Sequence, residues 1–113
     1  MATSKIPVNV EYINGAVTAE TGTSSVKANQ YGRVVILNGY FIGATVGNNG
    51  KLGTISGVEP PKDTTRAMCA VSSAAYNPPD AVAYLSITTS GGIYITTTSA
   101  TNKAVYFSVS YNI

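Results

Sequence analysis

Leu85-Ser86-Ile87-Thr88-Thr89-Ser90-Gly91-Gly92-Ile93-Tyr94-Ile95 is the stretch whose reading decides the fold. Apolar residues recur at spacing two on both sides of a Gly-containing turn, the pattern of two half-buried strands in a hairpin. Leu85 and Ile87 share one face, and Ile93 and Ile95 join that face only if three residues, Thr89-Ser90-Gly91, form the loop with Gly91 in the left-handed position. A two-residue Ser90-Gly91 loop would set Ile87 against Tyr94 and Leu85 against Thr96, sending apolar side chains to opposite faces of neighbouring strands. The three-residue loop is the expectation. Carried onward, the alternation places Val105, Phe107 and Val109 on the inner face, and Tyr84, Ser86, Tyr94, Thr96, Tyr106 and Ser108 on a polar, uncharged outer face.

The same period extends outward along the chain. Strands are expected over 8–13, 16–20, 33–42, 52–56, 65–72, 81–88, 93–98 and 104–111. Asn14-Gly15, Gly47-Asn48-Asn49-Gly50, Pro60-Pro61 and Asn77-Pro78-Pro79-Asp80 supply the turns between them. About eight short strands and almost no helix predict an all-β antiparallel barrel or sandwich, because a parallel sheet needs crossover segments that 113 residues cannot supply repeatedly. Residues 1–30, with little bulky core material, are read as N-terminal strands or a lead-in arm, and residues 31–113 as the head domain. The other reading of 1–30 is edge strands of the same barrel.

Composition narrows the chemistry. Seven Lys and Arg against five Asp and Glu, on 11% charged residues, cannot make the dense basic stripe that a phosphate backbone demands, so nucleic acid is not expected as a partner. Histidine is absent and Cys69 is the only thiol. That removes His-based acid–base catalysis, Cys/His zinc sites and any intrachain disulfide. The longest aliphatic run, Val34-Val35-Ile36-Leu37, is far short of the ~20 residues of a membrane-spanning helix, so no membrane partner is expected. The first residues hold no apolar stretch of signal-peptide length. No cofactor is implied.

Three short patterns suggest catalysis and fail on their surroundings. Gly50-Lys51 resembles the end of a phosphate-binding loop, which needs Gly where Thr45 stands and Ser or Thr where Leu52 stands; a hairpin turn beside an exposed lysine explains it. Ser24-Ser25-Val26-Lys27 has the Ser-x-x-Lys spacing of serine acyl-transfer enzymes without their companion segments. Glu59 and Asp63 cannot face each other on a helix across Pro60-Pro61, and a glycoside-cleaving pair would need distant acids such as Glu59 and Asp80. The chain is therefore expected not to be an enzyme.

Tyrosine is the informative abundance, with eight in the chain. Tyr40, Tyr76, Tyr84, Tyr94, Tyr106 and Tyr111 fall in or beside strands, where ring and hydroxyl suit sugar stacking as well as sheet packing. Tyr76-Asn77-Pro78-Pro79-Asp80 sets an aromatic, an amide and a carboxylate on one proline-stiffened loop, the groups a saccharide pocket uses. Arg66 joins Tyr76, Asn77 and Asp80 as a candidate ligand-binding residue because a guanidinium can fork onto sugar hydroxyls or a phosphate; an ion pair with Asp63 or Asp80 is its structural alternative.

The order of segments carries a resemblance. Tyr31-Gly32-Arg33-Val34-Val35-Ile36-Leu37-Asn38-Gly39-Tyr40-Phe41, the Gly57-Val58-Glu59-Pro60-Pro61 segment, the hairpin quoted above and the closing Phe107-Ser108-Val109-Ser110-Tyr111 strand together resemble the C-terminal head domains of tail-fibre and baseplate receptor-binding proteins of phages that infect Gram-positive bacteria. It covers residues 31–113. The resemblance implies a β-barrel head at the tip of a virion appendage, usually a homotrimer beside other tail proteins, that adheres to host cell-wall saccharide. It also leaves room for a purely structural domain that trimerises or docks into the baseplate without touching a receptor. A mean hydropathy of +0.13 fits an oligomer, since apolar surface then has somewhere to be covered.

Overall fold

The structure, a computed structural model, describes residues 10–73, 77–79, 81–96 and 99–113. The described chain is all-β and antiparallel, without helix. Its strands are β1 (Val10–Asn14), β2 (Val17–Ala19), β3 (Thr23–Tyr31), β4 (Val34–Gly47), β5 (Gly50–Ile55), β6 (Thr65–Ser72), β7 (Ala81–Ile87), β8 (Gly92–Thr96) and β9 (Ser99–Asn112). They form one sheet in the order β1-β3-β4-β9-β6-β7-β8-β5-β2.

The sheet curls until its far end meets β3. The Ala16 amide donates to the Val26 carbonyl at 3.0 Å, and the Ser24 hydroxyl donates to the Val17 carbonyl at 3.0 Å. Strands β2 to β9 therefore make a nearly closed eight-stranded barrel, and β1 lies alongside the outer half of β3, from Asn14 opposite Lys27 to Val10 opposite Tyr31. Curling removes most of the free edge that an open sheet would present. The first three strands are thus strands of the same sheet as the rest.

The β7–β8 hairpin follows the register read from its apolar alternation. Leu85 faces Ile95 and Ile87 faces Ile93, all four are buried, and Gly91 has φ 90°. The Gly91 amide closes the turn on the Thr88 carbonyl at 2.9 Å. Val105, Phe107 and Val109 are buried with them, whereas Tyr84, Thr96 and Ser108 are exposed, so inner and outer faces fall as the period dictates. The interior is filled by Leu37, Phe41, Leu52 and the four hairpin residues, with Phe41 and Phe107 stacked at 5.9 Å between centroids. Each such side chain contributes about 1.5–3 kcal/mol by leaving water.

Two differences from the sequence reading have physical reasons. Strand β3 occupies 23–31, where no strand was expected, because Thr23-Ser24-Ser25-Val26-Lys27-Ala28 presents only two small apolar residues at spacing two. Val26 and Ala28 are nevertheless wholly buried, since β4 opposite supplies the bulk with Val35, Leu37 and Phe41. Strands β4 and β9 each run to 14 residues, beyond the expected 33–42 and 104–111, because register shifts between Phe41, Ala44 and Val46 let the pairing continue past an interruption in the alternation.

Candidate functional site

The expected ligand-binding residues do not gather in the described part of the chain. Arg66 is exposed on the outer face of β6 opposite Ser86, and it makes no ion pair with Asp63. Asn77 is exposed beyond the other end of β6, where the buried Ser72 hydroxyl donates to the carbonyls of Asn77 at 2.7 Å and Pro78 at 3.2 Å. The six residue steps from Arg66 to Ser72 span about 20 Å, so Arg66 and Asn77 sit toward opposite ends of one strand. Tyr76 and Asp80 lie outside the described residues. With Asp80 there, only Glu59 of the distant carboxylate pair is described, and it is exposed.

A different constellation forms on the outer face of β3, β4 and β9. Ser25 stands opposite Tyr40, Lys27 opposite Asn38, and Tyr40 opposite Tyr106, so three adjacent strands bring two phenols, an amide, a hydroxyl and an ammonium to one patch. These residues, with Asn29 of β3, line an open groove of about 600 Å³. The Tyr40 and Tyr106 rings are 5.8 Å apart and tilted by 51°, a geometry that leaves part of each ring exposed beside the other. Both tyrosines are half-buried, which fixes the rings, while Ser25, Lys27 and Asn38 are exposed. Gly39 draws the strands together beneath the groove, since a Cβ there would collide with the carbonyl oxygen of Ser25. Close backbone approach is what that glycine provides.

No protein-family model matches the chain, and no curated protein does. What the site can do therefore rests on its own chemistry. Ring faces, amide, hydroxyl and ammonium groups can stack on an apolar sugar face and exchange hydrogen bonds with hydroxyls. Among the described residues no group of three or more Cys, Asp or Glu could hold a metal ion.

A second cleft, of about 500 Å³, lies at the far end of the same sheet face, lined by Arg33, Lys62, Asp63, Thr65, the end of β9 from Ser110 to Asn112, and Ile113. Strand β6 pairs with β9 only through Ala70, Val71 and Ser72 opposite Tyr106, Val105 and Ala104. Below that ladder Thr65 and the end of β9 become cleft walls. The Tyr111 side chain turns inward and donates its hydroxyl to the Glu59 carbonyl at 2.7 Å, holding the Pro60-Pro61 segment against the barrel. Burial, with the Glu59 carboxylate adding to it, pushes that phenol up to about 12. Cys69 is buried with its thiol on the Ala83 carbonyl at 3.5 Å, and burial pushes it up to about 11, which makes it a core side chain and a poor nucleophile. Lys51, beside the Asn49 turn, is half-buried and pairs with Glu20 at 3.4 Å.

Alternation within single strands puts Tyr84, Tyr94 and Tyr106 on the outer face but does not join Tyr106 to Tyr40. Their pairing depends on β4 lying beside β9, a contact between distant parts of the chain that alternation within one strand does not encode.

Proposed function

We propose that this chain is a non-enzymatic carbohydrate-binding barrel, the tip domain of a virion appendage that adheres to saccharide of the host cell wall. The observation that carries the reading is the groove over Gly39, where Tyr40 and Tyr106 meet Ser25, Lys27 and Asn38 on a rigid three-strand surface. Sites built on strands hold their geometry better than sites on loops. The assignment to a phage appendage draws on the resemblance of residues 31–113, and the groove supplies the binding surface that such a role requires. Retention of the chain on Gram-positive cell-wall polysaccharide is the test. Tyr40→Ala should lower retention about fivefold or more, since losing one stacking ring and its hydroxyl removes roughly 1–3 kcal/mol. Retention undiminished by Tyr40→Ala but abolished by Tyr76→Ala or Asp80→Ala would move the site to the 76–80 loop, and no retention at all would remove the adhesion role.

The second reading, a structural domain that trimerises or docks among tail proteins, is favoured by one separate observation. Met68, Val82 and Tyr84 are 62%, 65% and 58% exposed, and the pairings Met68 with Tyr84 and Ala70 with Val82 make them contiguous on the outer face of β6 and β7. The apolar patch borders the groove, since Ala70 stands between Val82 of β7 and Tyr106 of β9 on the outer face, so an assembly through the patch would flank the tyrosine end of the groove.

A further inference from the structure

We propose that the tyrosine groove and the cationic cleft are two ends of one track that binds a linear acidic glycan, with neutral rings over Tyr40 and Tyr106 and a carboxylate or phosphate between Arg33 and Lys62. The inference rests on the carbohydrate-binding reading and specifies its ligand class. Four successive outer-face rungs join the two ends: Tyr40 with Tyr106, Asn38 with Ser108, Ile36 with Ser110, and Val34 with Asn112. Their β9 members, Tyr106 to Asn112, run for about 20 Å along one strand. None of these eight residues is charged, Lys27 of β3 flanks Asn38 on the same face, and Ser108, Ser110 and Asn112 are exposed.

Both cations are held at the end of that track by the backbone. Arg33 follows Gly32 in the two-residue turn between β3 and β4, with Gly32 at φ 62°, and its carbonyl accepts the Ile113 amide at 2.9 Å. On the other side the Lys62 amide donates to the Asn112 carbonyl at 2.9 Å. The end of β9 thus lies between the two cation-bearing segments, which at one strand spacing on each side stand about 10 Å apart. Neither Arg33 nor Lys62 is in an ion pair with Asp63, which shares the cleft. Two cations flanking the Ser110 hydroxyl and Asn112 amide suit an anionic group far better than a neutral sugar. A ligand bearing such groups at intervals along a polyhydroxylated chain satisfies both ends at once.

Calorimetric titration with three oligomers of matched length tests this: oligogalacturonate for carboxylate, a ribosyl-ribitol phosphate oligomer for phosphodiester, and a neutral malto-oligosaccharide. One or both acidic oligomers should bind at least tenfold tighter than the neutral one, and which of them does so identifies the anion. The double variant Arg33→Ala, Lys62→Ala should lose most of that preference and keep neutral binding, whereas Tyr40→Ala should weaken all binding. Acidic disaccharides, too short to reach both ends, should show no preference that Tyr40 and Arg33 share. Equal binding of all three oligomers, abolished by Tyr40→Ala, would overturn the acidic track and leave the carbohydrate reading standing. An acidic preference undiminished by the double variant would put the anion beside Lys27 of the tyrosine groove and overturn the track as well. Binding of none of the three would overturn both. Arg33 and Lys62 are exposed, and unchanged melting temperatures of the variants will separate lost contacts from lost fold.

Discussion

Tyr111 shows how one side chain connects stability to pH. Its hydroxyl bond to the Glu59 carbonyl holds a proline-stiffened segment on the barrel, so Tyr111→Phe should cost about 1–2 kcal/mol, read as a lower urea midpoint at neutral pH. The folded chain keeps the Tyr111 proton until about pH 12, while the unfolded chain releases it near 10.0; Cys69 behaves alike between 9.0 and about 11. Within those windows the unfolded state binds fewer protons, and stability falls as pH rises. The contribution of each group is complete below its unfolded value and is lost as pH climbs through the folded one. Urea midpoints taken from pH 8 upward should therefore decline above pH 9, and Tyr111→Phe should decline less steeply than the parent between 10 and 12. A parent midpoint flat across that range would show that neither group is held neutral by the fold.

At the scale of elements, the β7–β8 hairpin tests the register directly. Gly91, at φ 90°, has only ordinary contact near its Cβ position, so Gly91→Ala strains the backbone without a collision and should cost about 1–2 kcal/mol. Leu85→Ala, opposite Ile95 in the barrel interior, should cost about 2–5 kcal/mol. Thermal melts that rank Gly91→Ala above Leu85→Ala would contradict the register. This hairpin was legible in the sequence because its two strands are local and four bulky apolar residues fix the register. Strand β3 was not, because its inward residues, Val26 and Ala28, are small and its burial comes from β4. Legibility of the site follows the same division. The outward alternation of Tyr106 could be read from β9 alone, but the groove needs Ser25, Lys27, Asn38, Tyr40 and Tyr106 from three strands whose neighbours no local pattern names. Arg66 and the 76–80 loop drew notice as suitable chemistry, and the length of β6 separates Arg66 from Asn77.

On the scale of the whole molecule, the curled sheet distributes its surfaces unevenly, and that unevenness makes the last prediction. The track occupies β4 and β9, polar along β9 and carrying Ile36 and Val34 on β4, whereas Met68, Val82 and Tyr84 form an exposed apolar patch on β6 and β7 without a charged residue among them. Large contiguous apolar surface is unfavourable in water, and association is the ordinary way to remove it. The chain should therefore assemble through this face, and the homotrimer that the resemblance implies would give a mass near three protomers of 11.7 kDa each by light scattering coupled to size-exclusion chromatography. Replacing Met68 and Tyr84 by Ser removes apolar area from side chains that are mostly exposed in the single chain, so the protomer should keep its melting behaviour while the assembly dissociates. Glycan binding measured on that variant then becomes informative. If affinity for an isolated oligosaccharide is retained while avidity for whole cell wall falls, one protomer holds a complete track and assembly multiplies it. A parent chain that elutes as a monomer at every concentration would remove the oligomer and leave the apolar face unexplained, while the groove and its test would stand.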